Sequence, residues 1–142
     1  MLQILICPLV AALIAQLGKL LVKSNNLKLN WQSIYSYSGM PSSHAAMVIS
    51  LAASVGLVEG FRSPLFFVCV ILCFFIIRDA LGLRNYLGQH GKILNNLVKD
   101  LNANIDVKVY PRLAENIGHT PAQIIAGAVL GFLVSLAGYY IF

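Results

Sequence analysis

Four long stretches of this chain carry few charges, and their lengths constrain everything else. From Leu2 to Val22 only Gln3, Gln16 and Lys19 interrupt an apolar run, and about 20 such residues cross the hydrocarbon of a bilayer. This predicts a first membrane helix. No Lys or Arg precedes it, so it reads as a retained helix rather than a secretory signal. Lys19 lies near its C-terminal end, where a lysine stem either snorkels toward the headgroups or binds an anion. His44 to Val58 is apolar and rich in small residues, short for a span, and reads as a second helix packed among others. A third runs from Pro64, well placed in a first turn, to about Leu81 and carries Arg78 and Asp79 near its end. The last opens at Gly118-His119-Thr120-Pro121 and continues to Phe142, with Gly127, Gly131, Ser135 and Gly138 at the three- or four-residue spacing that lets helices approach closely.

A soluble alternative fails on composition. Of 142 residues 58% are hydrophobic and 11% charged, whereas a soluble domain needs about a quarter charged to clothe its surface. Lipid must cover much of the outside. The fold class that follows is all-α: a small polytopic membrane bundle of about four helices, forming a single domain over residues 1–142. Between the third and fourth, residues 85 to 101 space Leu87, Leu94, Leu97, Val98 and Leu101 by three, four and seven, which predicts an amphipathic helix on the membrane surface or capping the bundle. Lys23 to Ser43 reads as a polar connection with interfacial aromatics, and Asn102 to Arg112 as a loop. Cys7, Cys69 and Cys73 lie in apolar runs and read as small buried hydrophobes.

An unbroken zigzag puts the end of helix one, the start of helix two, the end of helix three and the start of helix four on one side. Gln16 and Lys19, Pro41 to His44, Arg78 to Arg84, and His119 then share a face, as polar groups at membrane depth must face a cavity or one another. That face also holds nine of the ten basic residues, leaving Arg62 on the other. The excess of Lys and Arg predicts that it is cytoplasmic. The net charge of +5 thus reads as orientation or phosphate attraction. Nucleic acid is the weaker reading, because the basic residues are not interleaved with aromatics on a soluble face.

The clusters suggest phosphate chemistry. Pro41-Ser42-Ser43-His44 at a helix start offers hydroxyls and unpaired backbone N–H groups, a setting for an anion, and His44 could protonate a leaving oxygen. A serine cap with a flanking histidine is the plainer alternative. At the last helix Gln123 stands one turn after His119, on the same face, and could hold one imidazole nitrogen while the other stays free. Lys19, Arg78 and Arg84 supply the positive charge that phosphoryl transfer needs. Asp79 could pair with Arg78, or orient Arg84 or Lys19. His90 reads as a surface residue. No HExxH, CxxC, Walker loop or Gly-x-Ser-x-Gly elbow is present, so neither a metal nor another cofactor is indicated.

Gly39-Met40-Pro41-Ser42-Ser43-His44 resembles the Pro-Ser-Gly-His motif of the type 2 phosphatidic acid phosphatase superfamily, which is related to the vanadium haloperoxidases. His119-x3-Gln123-x3-Gly127 resembles its His-x3-Asp-x3-Gly element. Gln16-x2-Lys19, Arg78-Asp79-Ala80-Leu81-Gly82-Leu83-Arg84 and Gly118-His119-Thr120-Pro121 resemble its divergent bacterial and plant branch. The resemblance spans residues 16 to 131. It implies a metal-independent membrane phosphatase acting on a lipid phosphate or pyrophosphate, in which His119 attacks phosphorus to form a phosphohistidine and His44 protonates the leaving alcohol. Lys19 and Arg84 would grip the phosphate with Ser42 and Ser43.

The chain departs from the superfamily pattern at several points. Ser43 stands where glycine is usual, no Lys-x6-Arg-Pro follows Lys19, and Arg112 lies seven residues before His119, offset from the usual arginine, so Arg84 or Arg78 must substitute. Gln123 replaces the acid and brings no negative charge. A different class of function stands beside the phosphatase: a non-catalytic membrane protein that binds or moves a phosphorylated lipid through the same pocket. A structural membrane subunit, whose clusters do not converge, is the third.

Overall fold

A computed structural model of the chain describes residues 1–22, 39–100 and 112–142. The described residues form five helices: α1 (Gln3–Leu21), α2 (Ser43–Glu59), α3 (Pro64–Leu81), α4 (Leu83–Asp100) and α5 (Pro121–Ile141). The expected connection through residues 23–38 and the expected loop through 102–111 lie outside the described residues. By length and composition α1, α5 and the stretch from Pro64 to Asp100, whose apolar part is α3, are able to cross a membrane. At 17 residues α2 is shorter, roughly 26 Å at 1.5 Å per residue against about 30 Å of hydrocarbon.

Helix starts follow from local chemistry. Ser63 accepts a hydrogen bond from the Phe66 N–H at 3.2 Å ahead of Pro64, and Ser42 caps α2 by accepting from the Ala45 N–H at 3.4 Å. Each satisfies a donor that the first helical turn leaves open. The break between α3 and α4 is a single residue, Gly82, whose N–H still donates to the Arg78 carbonyl. The surface helix therefore begins at Leu83, two residues earlier than the apolar spacing suggests.

The short helix α2 is the centre of the bundle. Its Val48, Ala52 and Val55 pack on Cys69 and Cys73 of α3, its Ala46 on Ala11 and Ala15 of α1, and its Ala45 on Ala80 of α3 and Ile124 of α5. All three cysteines are buried and free. Gly127 and Gly131 of α5 lie directly on the Ser42 and Ala46 carbonyls, where an added Cβ would collide with backbone. Close approach of this kind is how small residues join membrane helices without a hydrophobic driving force. Deeper in the bundle Ser50, Ser54 and Ser135 form a hydroxyl cluster, with Ser50 and Ser135 Oγ atoms 2.7 Å apart and Ser54 donating to Ser135 at 3.1 Å. Two serines one turn apart on α2 facing a third on α5 fix the register of this pair.

The outside is apolar where lipid must cover it. Leu5, Leu9 and Leu13 of α1, Phe67, Ile71, Phe74 and Phe75 of α3, and Ile125, Val129 and Phe132 of α5 are exposed. On α4, Leu83, Leu87, Leu94 and Leu97 are exposed along one side, while Gly88 and Gly91 are buried against the backbone of residues 114–117. This division suits a helix lying in the membrane interface. His90 is exposed.

Candidate functional site at the polar end of the bundle

The antiparallel arrangement brings the four polar clusters to one end. Gly18 of α1 faces Pro41 at 3.7 Å, measured from the Cβ it lacks. The Ser42 N–H donates to the Gln123 carbonyl at 3.0 Å, and the His119 N–H to the Ala80 carbonyl at 3.2 Å. The start of α2 is thus tied to α5, and the residue before the α5 cap is tied to the end of α3. At the opposite end Gly138 of α5 meets Cys7 of α1.

Two histidines face each other within this polar end. The rings of His44 and His119 lie edge to face, with centroids 6.4 Å apart and planes at 76°. His119 is 2% exposed and Lys19 also 2%. The lysine stem therefore turns into the protein rather than out to the headgroups. Neither ring nitrogen of His119, nor Nδ1 of His44, has a hydrogen-bond partner among the described residues. Buried polar atoms ordinarily find partners, and exceptions call for a reason such as a catalytic role or an absent ligand.

Charge at the site is predominantly positive. Lys19 and Arg84 lie close enough to act electrostatically on both imidazoles, and Arg84 Nε donates to Asp79 Oδ2 at 2.6 Å. Asp79 thereby holds the guanidinium beside the site. His119 stands outside the membrane-spanning helices, and its pKa is pushed down to about 4, first by burial and then by the neighbouring Lys19, His44 and Arg84. At neutral pH its imidazole is uncharged, the state in which a ring nitrogen has a lone pair to offer. Ser42 is fully buried and Ser43 partly so, placing hydroxyls at the N-terminus of α2 beside His44. Gln16 is half-buried one turn before Lys19.

Two expectations need correction. Gln123 does not hold His119. Its Oε1 accepts from the Thr120 N–H at 3.0 Å while its own N–H donates to the Thr120 hydroxyl at 3.4 Å, a reciprocal capping box. The side chain one turn along is used to close its own helix start. Arg78 does not join the site either: it is exposed, and it is absent from the charges acting on the two histidines. At about 100° per residue, Arg78 points opposite the side on which Cys69, Cys73 and Ala80 are buried. Asp79 consequently pairs with Arg84, not with Arg78.

One positioning residue was missed from the sequence. Asn85 donates to the Leu81 carbonyl at 2.8 Å and to the His119 carbonyl at 3.3 Å, and it crowds Gly118, whose φ of +107° suits glycine. Its place directly after Arg84 hinted at proximity and nothing more. Among the described residues no group of three or more His, Cys, Asp or Glu side chains could hold a metal ion.

Residues 2–134 match the family described as the Divergent PAP2 family. The chain is also 35% identical to an uncharacterized membrane protein, YuiD, of Bacillus subtilis (strain 168), a similarity covering 81% of this chain and 79% of that one. No solved structure matches it. With a family match over nearly its whole length, an all-helical membrane bundle and the expected histidine motifs at two helix starts, this chain belongs to the divergent PAP2 family.

Proposed function

We propose that the protein is a membrane phosphatase that hydrolyses a lipid phosphate or pyrophosphate through a phosphohistidine. The observation that carries this reading is the pair of facing imidazoles, with both nitrogens of His119 buried and unpartnered among the described residues and with the charges of Lys19 and Arg84 acting on the ring. Reacting atoms held about 3–3.5 Å apart are poised for attack, so rings 6.4 Å apart can flank one phosphoryl group. A neutral His119 nitrogen attacks phosphorus as the ester oxygen departs, and protonated His44 gives its proton to that oxygen. Water then attacks the phosphohistidine, with His44 taking a proton from it, and phosphate is released. Lys19 and Arg84, with Ser42, Ser43 and the α2 N-terminus, offset the charge on the equatorial oxygens.

Purified protein in detergent should release inorganic phosphate from lipid phosphates. Acid-labile, base-stable phosphate label, trapped by an alkaline detergent quench, should appear on the protein during turnover, and His119→Ala should lose both, with a rate decrease on the order of a millionfold as for a deleted nucleophile. Equal phosphate release by His119→Ala would sink the mechanism.

Gln123 favours a second reading. Its engagement with Thr120 leaves His119 without a hydrogen-bond partner to stabilise an imidazolium, which suits a protein that binds or moves a phosphorylated lipid without turning it over. Binding of lipid phosphate with no label on His119 would select it.

In either case we place the polar end on the cytoplasmic side of the cell membrane, following the distribution of Lys and Arg. A cysteine replacing Arg62, at the far end, should react with an impermeant thiol reagent on intact cells, and one replacing Lys99 should not.

A further inference from the structure

His119 also belongs to the lining of a polar cleft of about 340 Å³, walled by α4, by residues 115–120 and by Gln123. Small-molecule sites begin at about 300 Å³. The cleft exists because Gly88 and Gly91 let residues 114–117 lie against α4 at backbone contact, where a Cβ on Gly88 would stand 2.5 Å from the Glu115 carbonyl oxygen. Asn95, one turn further along the same face of α4, also secures that segment, donating to the Leu113 carbonyl at 2.9 Å and accepting from the Leu113 N–H at 3.0 Å.

The chemistry of the walls selects a ligand. Glu115 is already answered, accepting from Asn95 at 2.9 Å and from Arg112 at 3.0 Å, and these two partners hold its carboxyl below the usual range. Asn85 is spent on carbonyl oxygens. Thr120 and Gln123 also line the cleft and are engaged with each other at the α5 start, which leaves Gln89, Lys92 and Asn116, all exposed. Lys92 makes no salt bridge among the described residues, though its charge acts on the Glu115 carboxylate. Ile117 is the one large apolar side chain in the lining, so an acyl chain has little to bury there, while exposed leucines lie along another side of α4. An ammonium with neutral amides is suited to an anion carrying hydrogen-bonding oxygens.

We propose that this cleft is a head-group subsite, in which Lys92, Gln89 and Asn116 receive a second phosphate of a substrate whose scissile phosphate lies at His119. The inference rests on the reading of His119 as a phosphate site. The second phosphate is either the neighbour in a diphosphate or a separate group on a polyol head.

Calorimetric titration of the full chain in detergent micelles with inorganic phosphate, methylene bisphosphonate and an inositol bisphosphate separates these. At least one bisphosphate should bind about tenfold or more tightly than phosphate, a difference of about 1.4 kcal/mol. Preference for the bisphosphonate identifies the diphosphate, and preference for the inositol compound identifies the polyol head. Lys92→Gln should bring the ratio close to one, while Lys99→Gln, on the last turn of the same helix, should keep it. Equal binding of all three probes by the wild type, or an undiminished preference in Lys92→Gln, would overturn the subsite. Failure of the phosphatase reading shows instead as absence of phosphate release and leaves the binding comparison standing.

Discussion

The starts of α2 and α5 use the same ingredients to opposite effect. Each combines a positive-φ glycine, a proline, a hydroxyl cap and a histidine. At α2 the cap is Ser42 and His44 lies inside the first turn, so the helix sets the ring's position. At α5 the cap is Thr120 and His119 lies before it, so no helix holds it. Its backbone is instead clamped by Ala80 and Asn85, from the end of α3 and the start of α4. His44, within the first turn, is only partly buried, although its Nδ1 is shielded. His119, clamped ahead of the helix, is sealed at 2% exposure and kept neutral. The order of cap and histidine, rather than the residue types, sets how each ring is held, and in the proposed mechanism that difference would separate the acid from the nucleophile.

The largest test of this contrast replaces His44. As a general acid it should contribute about 10²–10⁴ in rate with lipid phosphates, and much less with a nitrophenyl phosphate whose leaving group needs no proton. Equal losses of kcat/KM on both substrates after His44→Ala would remove the distinction between the two histidines.

A second test addresses charge. Nitrogen NMR of labelled histidine should find His119 titrating at about 4, with the neutral ring persisting above that pH and the imidazolium forming as pH falls through it. Lys19→Met removes a cation that opposes protonation, so the His119 titration should move upward. No movement would mean that Lys19 does not face the ring.

The smallest effect concerns Gln123. Gln123→Ala opens the capping box and should cost about 1 kcal/mol of thermal stability, while phosphate release falls far less than in His44→Ala. A loss matching that of His44→Ala would return Gln123 to the imidazole.

Much of the fold was legible in the sequence because lipid imposes simple rules. Apolar runs marked α1, α3 and α5, and Gly127 and Gly131 marked a close helix contact whose partner, α2, emerges only in the structure. The convergence of Lys19, His44, Arg84 and His119 followed from counting crossings. Arg78 was also decidable, since it lies half a turn out of phase with Cys69, Cys73 and Ala80. Gln123 was not: a side chain one turn along reaches either the histidine or its own cap, and only the local backbone decides. Asn85 was hidden for a related reason, because what it holds is a carbonyl 34 residues away, and carbonyls leave no mark in a sequence.

The clamp on His119 makes that position a socket. Its N–H and C=O are engaged by Ala80 and Asn85, and those bonds belong to the backbone, whatever side chain is attached. A cysteine or aspartate at residue 119 would be presented from the same point, toward the same cations, so the chain offers a fixed mount on which different side chains can be compared in one environment.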